Sequence, residues 1–144
     1  MANQFLAGKR ALITHADQFM GPALCDSFRR HGAEVIADTS ALLTPDAPAA
    51  LIAGAGDLDI LVINLSLKAP TTPLDQIEDS EWQAAFQALV DPLPRLVRAV
   101  VPTMKAKKRG KILVMGSASA LRGMKNCATY SAARGAQLSY VQAA

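Results

Sequence analysis

Four short stretches of the chain are almost wholly apolar: RALIT (10–14), AEVIAD (33–38), DILVIN (59–64) and KILVMG (111–116). A brief apolar run without polar alternation is the pattern of a strand buried on both faces, as in a parallel sheet. Between the runs, apolar residues recur every three or four positions. That spacing predicts helices over 20–31, 45–55 and 80–108, with a last one from Thr129. Strands alternating with helices predict βαβ units: an α/β fold with a doubly wound parallel sheet, in one domain spanning 1–144.

Local signals refine these elements. Asp79 or Ser80 is the expected N-cap of the long helix, with Glu81 in its first turn. Pro92, Pro94 and Pro102 should bend that helix or break it into pieces. Only about 20 residues part AEVIAD from DILVIN, room for one helix where a doubly wound sheet normally has a helix, a strand and another helix. The final helical pattern runs to Ala144 without a capping residue, so the chain is expected to stop within an element.

Composition narrows the class. Half the residues are hydrophobic (51%) and 19% are charged, which excludes a disordered chain and a disulfide scaffold. No apolar run reaches the roughly 20 residues of a membrane span, and MANQFLAGKR lacks the pattern of a secretory leader. Cys25 and Cys127 match no metal spacing and are expected as buried free thiols, which points to a reducing, cytoplasmic setting. His15 and His31 have no partners at ligand spacing, so no metal is expected. Lys105, Lys107, Lys108, Arg109 and Lys111 form the only dense basic run. They close a helical pattern, where cations complement the helix dipole. With no aromatic or second basic stripe beside them, they read as a solvated helix end rather than a nucleic-acid surface.

Two segments carry candidate chemistry. The first, THADQFMG (Thr14 to Gly21), lies between the first strand and the first helix, where a dinucleotide-binding turn would stand. In such a turn one glycine permits the tight bend, one admits the pyrophosphate and one packs helix on strand. Here His15 and Phe19 replace the first two glycines, Asp17 is the wrong charge beside phosphate, and only Gly21 remains. Asp38 ends the second strand, where a ribose-binding acid would sit, although an ordinary strand-end turn explains it equally. Taken alone, the loop is as consistent with a degenerate turn as with a remodelled site.

The second segment is KILVMGSASALRGMKNCATYSAARG. Ser117 follows a buried strand at the carboxyl edge, where open α/β sheets bind ligands. Tyr130 falls at the start of a helix, and Arg134 lies one turn along on the same face. A permanent cation there favours the phenolate, making Tyr130 a candidate general base while Ser117 positions the same substrate oxygen. Singly, each residue reads as a loop hydroxyl, a half-buried aromatic or a solvated charge; the joint spacing after a buried strand favours a site. Asn64 reads as a strand-end cap.

Ser–Tyr–x–x–x–basic resembles the catalytic set of the short-chain dehydrogenases/reductases, with Arg134 in place of the usual lysine. Ser-x12-Tyr-x3-Arg together with Thr-x4-Phe-x-Gly resembles the halohydrin (haloalcohol) dehalogenases, which share that Rossmann-like fold and use no nucleotide. Ser117, Tyr130 and Arg134 match the first motif; Thr14, Phe19 and Gly21 match the second. GKRALIT, GAEVIAD, DILVIN and GKILVMGSA are similar as well, so the resemblance spans essentially the whole chain. It implies dehalogenation of vicinal haloalcohols to epoxides with release of halide, and the reverse opening of epoxides by small anions, with no cofactor. Ser117, Tyr130 and Arg134 would be catalytic; Phe19, Thr14 and Gly21 would border the halide pocket. The resemblance further implies a homotetramer assembled through the helices at 80–108 and from 129, a small haloalcohol or epoxide and a halide as the only ligands, and neither nucleic-acid nor membrane partners. Members of the family continue past the tyrosine helix with two more strands, so the chain is expected to correspond to their amino-terminal part. Two alternatives stand beside this: an NAD(P)-dependent reductase with a degenerate fingerprint, and a catalytically silent oligomeric protein of the same fold.

Overall fold

The structure is a computed structural model that describes residues 3–144. Four parallel strands form one sheet in the order β2-β1-β3-β4. They are β1 (Arg10–Ile13), β2 (Glu34–Ala37), β3 (Ile60–Ile63) and β4 (Lys111–Val114), each at an apolar run of the sequence. The most apolar runs lie at the centre: Ala11, Leu12 and Ile13 of β1 pair with Ile60, Leu61 and Val62 of β3, all buried. The edge strands β2 and β4 are only partly covered.

Alternation along each strand splits the core in two. Ala11, Ile13, Ile60 and Val62 face α1 (Gly21–Arg30), packing with Ala16 and Cys25. Leu12, Leu61 and Ile63 face the other way, into a larger core built with α2 (Ala47–Ala55), α3 (Asp79–Leu89), α4 (Pro92–Lys107) and α5 (Ala128–Ala143). Each buried leucine there contributes about 1.5–3 kcal/mol. One helix alone, α2, joins β2 to β3, as the short spacing requires. The fold is therefore the expected α/β, Rossmann-like parallel sheet.

The long helix divides in two. Pro92 has no N–H to continue the ladder and opens α4 instead. At the break Val90 and Asp91 both donate to the Phe86 carbonyl, and Leu93 donates to Val90. The carbonyl of Leu89 thereby loses its helical partner and accepts from Gln137 Nε2 at 2.6 Å. Pro102, by contrast, lies within α4 without ending it. The expected cap at Asp79 or Ser80 is corrected: Glu78 is the N-cap, in extended conformation and without a side-chain cap bond. Glu81 in that first turn accepts instead from the hydroxyls of Thr72 (2.6 Å) and Thr129 (2.7 Å).

The basic helix end is tied down by charge. Lys107 pairs with Asp57, and Arg109 lies 3.4 Å from Asp59. A backbone N–H from Arg10 holds the Asp59 carboxyl below its ordinary range, helped by Arg109, Lys9 and Lys107 against the opposing effect of burial. Cys25 and Cys127 are free and buried. Among the described residues no helix is long and apolar enough to cross a membrane, and no His/Cys/Asp/Glu cluster could hold a metal.

Candidate active site

The site centres on an arginine. Arg134 lies on α5, one turn after Tyr130, and is only 1% exposed. Its Nε donates to the Tyr130 hydroxyl oxygen at 3.1 Å. Nη1 donates to the Met115 carbonyl (3.1 Å) and Gln137 Oε1 (3.0 Å), and Nη2 donates to the Leu65 carbonyl (3.0 Å). The guanidinium therefore joins the ends of β3 and β4 to α5. Burying a cation costs several kcal/mol unless it is well bonded, and hydrogen bonds to a charge contribute about 1.5–3 kcal/mol each. Every one of these acceptors is neutral, and among the described residues no carboxylate pairs with Arg134.

Phe19 completes the cluster. Its ring lies 5.1 Å from the guanidinium carbon of Arg134, and the Tyr130 ring lies 5.2 Å from the same atom. Phe19 is half exposed, at 49%, so it stands at the rim. Its backbone has φ 53° and that of His15 has φ 45°. Both positions that hold glycine in a dinucleotide loop thus keep the left-handed backbone that glycine adopts freely, at a strain of roughly 1–2 kcal/mol per side-chain-bearing residue. The loop retains its path while its side chains have changed.

Ties to the end of β3 hold it in that path. Thr14 is fully buried; its hydroxyl donates to the Asn64 carbonyl (3.0 Å) and accepts from the Asn64 N–H (2.9 Å). The Asn64 carboxamide donates to the carbonyls of His15 and Gln18, both at 3.0 Å, a strand-end cap across the loop. Ser66 N–H donates to His15 Nδ1 at 3.1 Å, which requires an unprotonated nitrogen. Burial pushes His15 below its ordinary value, outweighing the upward pull of Asp38 and Asp17. Gly21 begins α1 in close contact: a Cβ there would collide with the backbone of His15 and Ala16. Thr14 and Gly21 thus shape the loop from within, whereas Phe19 reaches the arginine.

Ser117 is placed less directly. It caps a short 3₁₀ turn, Ala118–Ala120, and its Oγ accepts from Ser119 Oγ at 2.9 Å. Ser117 and Arg134 line one cavity of about 160 Å³, with Gly116, Leu121, Gln137 and Leu138 among its walls. Tyr130 is not on that lining, and no hydrogen bond joins it to Ser117 among the described residues. Of the six residues read from sequence, Tyr130, Arg134 and Phe19 are brought together, and Ser117 meets them through the cavity at Arg134. Leu65, Met115 and Gln137 were missed. The first two act through backbone carbonyls, which leave no residue-type signal. Gln137 could have been found, because it follows Arg134 by three positions on one helical face.

The sequence model of the family described as short chain dehydrogenase matches residues 44–144. An uncharacterized oxidoreductase of Bacillus subtilis (strain 168) is 31% identical over 160 residues, covering 93% of this chain and 60% of that protein. The 3-oxoacyl-[acyl-carrier-protein] reductase of Escherichia coli (strain K12) is 27% identical, covering 88% of this chain and 62% of the relative. A solved structure described as a dehalogenation enzyme superposes with a TM-score of 0.86 at 29% identity, over 94% of this chain and 64% of its own. The chain thus spans about 60% of the length of the curated relatives.

Proposed function

This chain belongs to the short-chain dehydrogenase family, and from that premise we propose that its site converts vicinal haloalcohols to epoxides without a nucleotide. The observation that carries the reading is Phe19: its ring occupies a glycine position of the family's phosphate loop and stacks on the guanidinium that bonds the Tyr130 hydroxyl. The loop speaks against a nicotinamide dinucleotide. Neither position 15 nor position 19 offers the bare backbone a pyrophosphate approaches, and Asp17 adds an exposed carboxylate.

In the proposed reaction the substrate hydroxyl lies against Tyr130, with Ser117 as its second hydrogen-bonding group. Arg134 stabilises the phenolate, which takes the hydroxyl proton. The alkoxide attacks the neighbouring carbon from the rear; an oxygen–carbon bond forms, and the carbon–halogen bond breaks with its electron pair on the halide. Holding the three atoms in line lowers the barrier by up to roughly 7–11 kcal/mol in the best intramolecular cases. An uncancelled cation faced by an aromatic ring suits a large, weakly hydrated anion. A homotetramer built on α3, α4 and α5 belongs to the same proposal, and so do the small haloalcohol or epoxide ligands.

A second reading, a nicotinamide-dependent reductase, is favoured by the reductase relatives and by Asp38. One Asp38 oxygen accepts from Ser40 N–H and Oγ while the other is buried without a partner, at the place of a ribose-binding acid. The test is halide release from a small vicinal bromoalcohol by the chain and by Tyr130→Phe. Release lost in the variant supports the dehalogenase reading; equal release by both removes Tyr130 from it. Quenching or enhancement of NAD(P)H fluorescence at micromolar protein would favour the reductase.

A further inference from the structure

Arginine is almost never fully buried unless it is paired, yet all four acceptors of Arg134 are neutral. Among the described residues the only side-chain acceptor besides the Tyr130 hydroxyl is the amide oxygen of Gln137, at 3.0 Å. We propose that Gln137 is a positioning residue: it fixes the Arg134 guanidinium against Tyr130 and, being neutral, leaves that charge uncancelled. A glutamate there could make the same bond and would cancel it.

The amide is itself oriented from a distance. Gln137 is 1% exposed, and its Nε2 donates to the Leu89 carbonyl at 2.6 Å, so Oε1 alone is left to face the guanidinium. A flipped amide would set its NH2 against the cation and its oxygen against a carbonyl. Leu89 can accept because α3 stops there and Leu93 donates to Val90 instead. The chain of causes runs from the break at Pro92 to the Leu89 carbonyl, to Gln137, to Arg134 and to the Tyr130 hydroxyl.

This inference rests on Tyr130 as the base, but one readout needs no reaction. The chain has two tyrosines, so in Tyr140→Phe the phenolate absorbance reports Tyr130 alone. Adding Gln137→Glu should move that titration up by about one pH unit, since a new anion beside the arginine opposes a second one. The pH dependence of halide release should move in the same direction. Gln137→Met keeps the volume and removes the acceptor. It should lower kcat for release about tenfold with KM little changed, as loss of one charge-assisted bond in the transition state implies.

A Gln137→Glu chain with unaltered circular dichroism and an unmoved phenolate titration would overturn the proposal. Should that variant fail to fold, Gln137→Met decides: a tenfold loss or an upward phenolate titration supports positioning, and parent-like behaviour in both overturns it. If the parent releases no halide, the dehalogenase reading falls, while the optical titration still decides the role of Gln137.

Discussion

The loop from Thr14 to Gly21 and the segment from Met115 to Gln137 flank one site, yet they are built on opposite principles. In the loop the backbone is kept and the side chains have changed: His15 and Phe19 hold left-handed angles that suit glycine, and Thr14 and Asn64 lock the path from beneath. In the second segment side chains carry the structure, as a buried arginine collects acceptors from three elements. Backbone shape can thus be kept where the side chains that clothe it differ. A buried cation, in contrast, fixes both its neighbours and the charge they can tolerate.

If the chemistry is concentrated on α5, the largest effect belongs there. Tyr130→Phe should reduce halide release by about 10²–10⁴-fold, the range of a lost general base. Chemical denaturation should meanwhile show a change of about 1 kcal/mol, one hydrogen bond's worth. Arg134→Met should be the costliest substitution for stability, about 3 kcal/mol in a urea titration, because the oxygens of Leu65, Met115 and Gln137 lose their donor. An Arg134→Met chain as stable as the parent would remove the contrast between the two regions.

Substitutions in the loop should be milder. Phe19→Gly relieves the strain of a positive φ and loses a cation–π contact, each about 1 kcal/mol, so the melting temperature should shift by only a few degrees. Halide release should fall while the fold stands. The smallest effect is the pH response of His15. Its folded value lies below the ordinary value of about 6.5, so the unfolded chain binds the proton more readily. Stability should therefore fall as pH drops from about 6.5 toward the folded value and change no further from this group below it. His15→Gln should flatten that part of the curve; a parent curve flat between pH 7 and 5 would contradict the neutral ring that Ser66 requires.

Much of this was legible in the chain. Apolar runs marked all four strands, and the interval before DILVIN allowed one helix. Pro92 foretold the break because a missing N–H is a property of one residue. The Tyr130–Arg134 contact was readable from helical periodicity alone. What escaped was long-range. Glu81 joins Thr72 to Thr129, and Gln137 reaches Leu89, 48 positions away in sequence. Such bonds depend on how elements pack, which residue type and spacing do not encode. The cap of α3 was misplaced because Asp79 favours that role by type, while the backbone leaves extended conformation only after Glu78.

The central claim is a site that works without a nucleotide, and halide release from a vicinal bromoalcohol tests it most directly when measured with and without NAD(P)H. Release at the same rate in both, and lost in Tyr130→Phe, is the expected result. Release that requires the nucleotide, or nucleotide oxidation with a carbonyl substrate and no halide release, would contradict it.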